Sequence, residues 1–253
     1  MASRNSRALI LALAVTAASV AACGGGAPQE QPAAPKVVSN PVDPATAGGV
    51  TGHVTLTGTP PANLPIKTKS DPNCRVPLTT QSFVVGTGGS LANVFVYVKD
   101  GLGNRVFPVP ATAVVLAQQD CTYQPHVFGI QVGQTLDIVS NDPTLHNVHA
   151  IPMANQEFNF GQATPGVKNQ HVFSTMEVMV PFKCDVHNWM NAYVGVLDHP
   201  FFAVSGTDGA FSLNGLPPGT YTIEAVHEKL GRQVQSVTIG EKETKDVAFT
   251  FKI

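Results

Sequence analysis

Charged residues are scarce in this sequence, and the basic ones are not clustered. Asp, Glu, Lys and Arg make up 13% of the 253 residues, and the net charge is −2. A protein that binds nucleic acid needs a stripe of Lys and Arg to displace counterions from phosphates, and no such stripe is present. We therefore expect no nucleic-acid partner.

The sequence also lacks the common short motifs of catalysis. It contains no Gly-rich phosphate loop, no nucleophile elbow and no HExxH pair. These absences exclude the phosphoryl-transfer, acyl-transfer and zinc-protease classes that are recognised by such motifs. We expect that the protein is not an enzyme.

Helical periodicity is missing as well. No segment carries a sustained i, i+3, i+4, i+7 apolar pattern, whereas short runs of β-branched and aromatic residues alternate with turns rich in Gly, Pro, Asn and Asp. Strands are predicted over residues 50–56, 93–98, 135–139 and 193–197. Strands of this length and spacing predict an all-β fold built as a sandwich or barrel.

The first 22 residues have the pattern of a bacterial lipoprotein signal peptide. Arg4 and Arg7 precede an apolar run that is too short for an ordinary membrane span, and the sequence VAAC at 20–23 resembles a lipobox. We expect a lipid anchor on Cys23 and a flexible linker over residues 23–47. The expected location is the cell envelope, either facing the periplasm or on the surface of the outer membrane. The alternative is an ordinary cleaved signal with an incidental Cys23.

Two styles of sequence alternate in the rest of the chain. The segments GGVTGHVTLTGTPP (48–61), LANVFVYV (91–98) and TDGAFSLNGLPPGTYTIEAV (207–226) resemble successive strands of the carboxypeptidase regulatory-like, transthyretin-like β-sandwich. The resemblance implies a small sandwich over 48–111 and 201–253, interrupted by a different domain over 112–200. The alternative is two consecutive domains, with the N-terminal strands belonging to the second one.

The region 112–200 carries a second resemblance. The segments YQP (123–125), IQVGQTL (130–136), SND (140–142) and LHNV (145–148) resemble the plastocyanin family, in which a His-Asn-Val sequence supplies the first metal ligand. The later segment VMVPFKCDVHNWM (178–190) has the Cys-x2-His-x2-Met spacing of the amicyanins. The resemblance implies a Greek-key cupredoxin β-sandwich.

The same resemblance implies one copper ion bound by His146, Cys184, His187 and Met190. Two imidazoles, a thiolate and a weak axial thioether suit both Cu(I) and Cu(II), so such a site exchanges single electrons with little rearrangement. His187 lies on a loop, and we expect one edge of its ring near the surface. Asn188 stands where amicyanins have Pro, so their redox properties are not carried over.

Period-2 alternation supports the placement of the thiol. Along a strand that ends at Cys184, the side chains of Val178, Val180 and Phe182 should lie on the same face as the thiol. We therefore expect the Cys184 side chain to point into the sandwich.

Other residues near the ligands have supporting roles in this interpretation. The loop over residues 184–190 is called here the ligand loop. The resemblance implies that Asn147 forms a hydrogen bond across to the backbone of this loop beside Cys184. Alternation turns His149 to the opposite face from His146, beside Asn147. A hydrogen-bonded structural role is favoured for His149 over that of an extra ligand, and His126 is judged in the same way.

The cysteine count fits an exported protein, since disulfides persist outside the cytosol. With Cys23 set apart for the lipid, three cysteines remain, and an odd number means that one thiol has another role. With Cys184 assigned to copper, Cys74 and Cys121 are left, and we expect them to form a disulfide. That bridge would join the N-terminal strands to the cupredoxin sandwich.

Together these features predict a monomeric type 1 (blue) copper protein that passes single electrons between redox partner proteins. Two alternatives stay open: a protein that binds or delivers copper in the envelope, with His126 and His149 as auxiliary ligands, and a metal-free structural surface module. Multicopper oxidases need several His-x-His pairs, and a binuclear purple-copper centre needs a second Cys in the ligand loop. The sequence has neither.

Overall fold

The computed structural model describes residues 41–253, so the predictions for the signal peptide, the Cys23 lipid and most of the linker lie outside the described residues. Within this range the chain forms sixteen β-strands and one 3-10 turn over Thr87–Gly89. The all-β prediction is confirmed. No helix in the described range is long and apolar enough to cross a membrane.

The strands follow one another along the whole described range. They are β1 (Gly48–Thr57), β2 (Phe95–Asp100), β3 (Val114–Gln119), β4 (Thr122–Gln124), β5 (Val127–Gln131), β6 (Thr135–Ser140), β7 (His146–Ala150), β8 (Phe158–Gln162), β9 (Lys168–Val172), β10 (Glu177–Lys183), β11 (Asn191–Leu197), β12 (Phe202–Val204), β13 (Ala210–Leu216), β14 (Gly219–His227), β15 (Gly231–Ile239) and β16 (Thr244–Lys252). Each of the four segments predicted as strands overlaps one of these: β1, β2, β6 and β11.

Two sheets enclose the first hydrophobic core. Their strand orders are β13-β1-β16 and β12-β2-β14-β15. The core between them includes Val54, Val96, Ile223 and Phe249, all fully buried. These strands come from both ends of the described chain.

The turn before β13 shows how the sequence builds this sandwich. Gly209 has a φ of +77°, and a Cβ there would lie 2.4 Å from the carbonyl oxygen of Val54, so glycine is required. The Asp208 carboxylate accepts a hydrogen bond from the Ala210 N–H at 3.0 Å. The strand then buries Phe211 and Leu213 by simple alternation.

Two further sheets enclose the second core, in the orders β5-β11-β10-β7-β8 and β4-β3-β6-β9. Ile138, Val148, Phe182 and Val194 are among its buried residues. Strands β3 to β11 are consecutive in the chain, and the strands that flank them, β2 and β12, pair with each other in an antiparallel arrangement. The predicted domain boundaries, and the regulatory-like nature of the first sandwich, stay predictions.

The two sandwiches meet where aromatic rings lie on a pair of glycines. Gly195 of β11 and Gly129 of β5 are register partners in one sheet. A Cβ on Gly195 would lie 2.1 Å from the ring of Phe95, and one on Gly129 would lie 2.2 Å from the ring of Phe202. Glycine at both positions therefore lets rings of β2 and β12 pack directly on the backbone of the second sandwich.

Candidate metal centre

Two neighbouring strands and one loop bring three donor residues together. His146 begins β7, Cys184 follows β10, and these two strands pair in the same sheet. His187 lies in the loop that leads from β10 to β11. One donor atom from each residue lies within 4.8 Å of the others, and all three side chains are buried.

Backbone hydrogen bonds close the loop from Cys184 to Met190 on itself. The N–H of Cys184 donates to the carbonyl of Met190 at 3.1 Å, and the N–H of Met190 donates to the carbonyl of His187 at 2.9 Å. The N–H of His187 points at the Cys184 sulfur, 3.3 Å away. Met190 is buried and packs in the second core, so the loop holds a defined shape with Asn188 in place of proline.

Strand β10 delivers Cys184 through an alternation that is interrupted once. Val180, Phe182 and Cys184 are buried in the second core, as predicted. Met179 has a φ of +65°, and the register with β11 shifts between residues 177 and 180. Because of this bulge Val178 packs in the cluster between the sandwiches, so its predicted place on the Cys184 face is wrong.

Asn147 connects β7 to the ligand loop. Its side-chain oxygen accepts a hydrogen bond from the N–H of Asp185 at 2.8 Å and one from the Cys184 thiol at 3.3 Å. Its amide nitrogen donates to the Asp185 carboxylate at 2.9 Å. This side chain therefore fixes the loop directly beside Cys184.

His149 and His126 have both ring nitrogens engaged by oxygens of the protein. His149 contacts the carboxylates of Asp185 at 3.0 Å and Glu157 at 2.6 Å. His126 contacts the carbonyl of Asn191 at 3.2 Å and the carboxylate of Glu228 at 3.0 Å. In the described part of the chain, neither histidine belongs to the cluster of His146, Cys184 and His187.

The predicted disulfide between Cys74 and Cys121 is confirmed. It fastens residues 58–86, here called the strap, beside the ligand loop. The half-buried Trp189 donates its indole N–H to the carbonyl of Cys121 at 3.0 Å, and its ring lies 4.9 Å from that of His187.

The strap covers His187, and this residue is only 3% exposed. A carboxylate oxygen of Asp71, in the strap, lies 3.1 Å from Nε2 of His187. The expectation that the loop leaves one edge of the His187 ring near the surface is therefore wrong. The reason is a long-range contact, since Asp71 and His187 are 116 positions apart in the sequence.

His146 has a matching carboxylate partner. Asp142 lies 2.9 Å from Nε2 of His146 and also accepts hydrogen bonds from the N–H groups of Asp120 and Cys121 at 2.7 and 2.9 Å. A carboxylate used in this way is an acceptor, so Nε2 of His146 carries the hydrogen. Sequence reasoning missed the roles of Asp142 and Asp71; only Asp142, four positions before His146, had a local signal.

The two imidazoles turn their other nitrogens toward each other. Nδ1 of His146 lies 2.8 Å from Nδ1 of His187. Burial lowers the pKa of His146, which outweighs the opposite effect of Asp142, so this ring is neutral at neutral pH and its Nδ1 has a bare lone pair. The hydrogen bond from Thr144 lowers the pKa of Asp71, which outweighs the raising effect of burial, so Asp71 is an anionic acceptor for Nε2 of His187.

This arrangement suits a bound cation. Two bare nitrogen lone pairs at this distance repel each other unless a cation lies between them, either a proton held on one ring or a metal ion. The thiol of Cys184 completes a set of two imidazoles and one sulfur, which is the donor set that copper favours. The residues present therefore fit a copper ion.

Comparison with known proteins gives matches to solved structures alone. No family model and no curated protein matches the sequence. The copper-containing nitrite reductase NirK from Thermus scotoductus SA-01 is 16% identical, with a TM-score of 0.33; the match covers 40% of this chain and 26% of the reductase. The chain thus spans about a quarter of that protein.

Two smaller proteins match over most of their own length. A point mutant of amicyanin in its Cu(I) form is 19% identical, with a TM-score of 0.30 and coverage of 35% of this chain and 85% of amicyanin. A purple cupredoxin from Nitrosopumilus maritimus is 24% identical, with a TM-score of 0.29 and coverage of 34% and 99%. These structures are cupredoxins, and with TM-scores of 0.29 to 0.33 the matches carry no argument about the role of this chain.

Proposed function

We propose that this protein is a mononuclear type 1 copper protein that carries single electrons in the bacterial cell envelope. The observation that carries the proposal is the convergence of two imidazole Nδ1 atoms and the Cys184 thiol in one buried cluster. Copper, when bound, supplies one-electron exchange between Cu(I) and Cu(II). Imidazole nitrogen suits Cu(II) and a thiolate suits Cu(I), so the mixed set serves both states.

The residues of the chain would hold the ion and keep water away from it. His146, Cys184 and His187 would supply two imidazoles and a thiolate, and Met190 would supply the weakly bound thioether that the resemblance to amicyanins implies. All four residues are at most 3% exposed. Because hydrogen bonds already fix the loop and its link to Asn147, little has to move when an electron arrives.

The proposal includes the setting in which the protein works. It is a carrier and not an enzyme, it acts as a monomer, and it exchanges electrons with redox partner proteins. A lipid on Cys23 tethers it to the membrane in the cell envelope. The lipobox-like sequence VAAC at 20–23 supports the tether.

Titration of the exported protein with Cu(II), followed by visible absorption and EPR, tests the proposal. We expect an intense thiolate-to-copper band and a narrow copper hyperfine splitting. Both should be lost in Cys184→Ser, because no thiolate remains to bind the ion. His149→Ala is the matched control: both nitrogens of its ring are engaged by Asp185 and Glu157, so the band should be unchanged.

Two results would contradict the proposal and point to the alternatives. Tight Cu(II) binding without the band, equal in the wild type and in Cys184→Ser, would favour copper binding or delivery through histidines. No copper binding at all would favour a metal-free structural module of the cell surface.

A further inference from the structure

The strap places a carboxylate at the metal centre by folding into a two-armed loop. Two backbone hydrogen bonds join its arms, from Ile66 to Leu78 at 2.8 Å and from Thr80 to Leu64 at 3.0 Å. Asp71 lies in the segment between these arms, residues 67–77, which is called here the tip. The tip is therefore a preformed structure that carries Asp71 to the ligand loop.

Few contacts other than covalent and polar ones hold the tip in place. Among residues 58–86, all of which the structure describes, Cys74 alone is buried. A cavity of ≈ 200 Å³ lies between the arms of the strap and the end of the ligand loop, and Ile66, Thr80, Trp189 and Met190 line part of it. The position of the tip thus depends on the Cys74 disulfide and on the hydrogen bonds of Asp71.

Asp71 uses one oxygen for two contacts at the centre. Its Oδ2 accepts the hydroxyl of Thr144 at 2.5 Å and lies 3.1 Å from Nε2 of His187. Asp142 makes the equivalent contact with His146 from the other side. A carboxylate on the outer nitrogen of a ligating imidazole fixes the tautomer and the orientation of the ring, and raises the basicity of the ligand.

We propose that Asp71 is a positioning residue for the ligand His187, as Asp142 is for His146. By accepting the hydrogen of Nε2, Asp71 keeps the Nδ1 lone pair of His187 free and turned into the cluster. The negative charge makes this donor more electron-rich, which favours Cu(II) over Cu(I) and lowers the reduction potential. This inference rests on the proposed copper site.

Asp71→Asn in the full chain tests the effect on the metal. We expect the affinity for Cu(II) to fall about 10–100-fold and the affinity for Cu(I) to fall less, because a negative charge stabilises the dication more. Each tenfold difference between the two losses raises the reduction potential by about 59 mV. Competition titrations for both ions, together with voltammetry, measure these changes. Asp100→Asn, which removes an exposed carboxylate of β2, is the control and should change neither quantity.

The ring of His187 gives a readout without any metal. In the metal-free wild type, ¹⁵N NMR of the histidine rings should show that Nε2 of His187 carries a hydrogen, which it donates to Asp71. Asp71→Asn should give a mixture of tautomers, and so should the double variant Cys74→Ser/Cys121→Ser, which releases the tip. Thr144→Val keeps the carboxylate and removes the Thr144 hydroxyl that holds its Oδ2 in place. It provides a second variant, for which we expect a smaller shift toward a mixture of tautomers.

The outcomes separate this inference from the proposed function. A blue-copper band in the wild type, with the same copper affinities and potential in Asp71→Asn and in the disulfide variant, would overturn the role of Asp71. A wild type without the band would refute the proposed function instead. In that case an unchanged tautomer of His187 in Asp71→Asn would also overturn the positioning role, and a mixed tautomer would support it.

Discussion

Glu228 is an acidic side chain that is buried where the two sandwiches meet. Its side chain is 3% exposed, and one carboxylate oxygen lies 3.0 Å from Nε2 of His126. Burial would raise the pKa of Glu228, but its hydrogen bonds with His126 and Tyr193, and the charges of His126 and Lys229, outweigh that effect and lower it. Glu228 is therefore ionised in the folded protein.

This burial predicts a pH-dependent contribution of Glu228 to stability. The folded pKa lies below the ordinary value of 4.5, so the contribution is present above pH 4.5 and is lost as the pH falls through the folded pKa. We expect Glu228→Gln to reduce the free energy of unfolding by about 1–3 kcal/mol at neutral pH, as for a weakened buried hydrogen bond. Urea unfolding of the wild type and Glu228→Gln at a series of pH values should show that the difference between their free energies of unfolding narrows as the pH falls.

The matched control for this change is Glu241→Gln, since Glu241 is exposed. It should leave the free energy of unfolding nearly unchanged at each pH. A difference between Glu228→Gln and the wild type that stayed constant down to strongly acidic pH would contradict the ionised role of Glu228.

At the scale of residues, local motifs predicted the donor residues but not a contacting residue that lies far away in the sequence. His146 and Asn147 are adjacent, and Cys184 and His187 are three positions apart. A spacing pattern therefore identifies both pairs. Asp71 reaches His187 across 116 positions, and nothing in the sequence around Asp71 marks it as a partner of His187. Only the folded chain reveals such a contact.

Among the strands, β5 and β11 carry the contact between the sandwiches. Their paired glycines, Gly129 and Gly195, leave the backbone bare, and the rings of Phe95 and Phe202 fill the space. The two rings also pack against each other, with centroids 5.8 Å apart. This packing requires glycine at both positions, because any side chain there would occupy the space that a ring fills.

We therefore expect Gly195→Ala to destabilise the protein by about 1–3 kcal/mol, the usual effect of overpacking a core. Its Cβ would lie 2.1 Å from the Phe95 ring, which is held between the sandwiches. Gly161→Ala is the matched control: Gly161 is a strand residue of the same sheet, and its Cβ would meet nothing within 4 Å. Thermal and urea unfolding of both variants check the difference, and equal stabilities would contradict the proposed fit.

The sequence predicted strands better than it predicted their irregularities. Alternation and turn residues were enough to locate β1, β2, β6 and β11 within a few positions. The bulge at Met179 has no such signature, since it depends on how β10 pairs with β11. Register is decided by the neighbouring strand, so Val178 could not be assigned to its face from the sequence of β10 alone.

As a whole, the described part of the molecule contains two cores joined by a third cluster. That cluster includes the buried residues Phe95, Tyr97, Val127, Leu197 and Val226, drawn from both sandwiches. The chain also crosses between the sandwiches twice, from β2 to β3 and from β11 to β12. Loss of either sandwich would expose the cluster and free both crossings.

This connection predicts one cooperative unfolding transition. Trp189 is the only tryptophan in the sequence, and its fluorescence reports the ligand loop alone. Far-UV circular dichroism reports the strands of both sandwiches. We expect the two signals to change at the same temperature, as in two-state unfolding. A fluorescence change that preceded the loss of strand signal by a clear interval would contradict the coupling.

The strap over His187 also affects how two copies of the molecule would meet. In a copper-loaded protein, electrons pass between identical molecules when their ligand edges come close together. Asp71 and the disulfide hold protein between the His187 ring and any second copy. In the proposed copper protein, the exchange of electrons between two copies would therefore be slow.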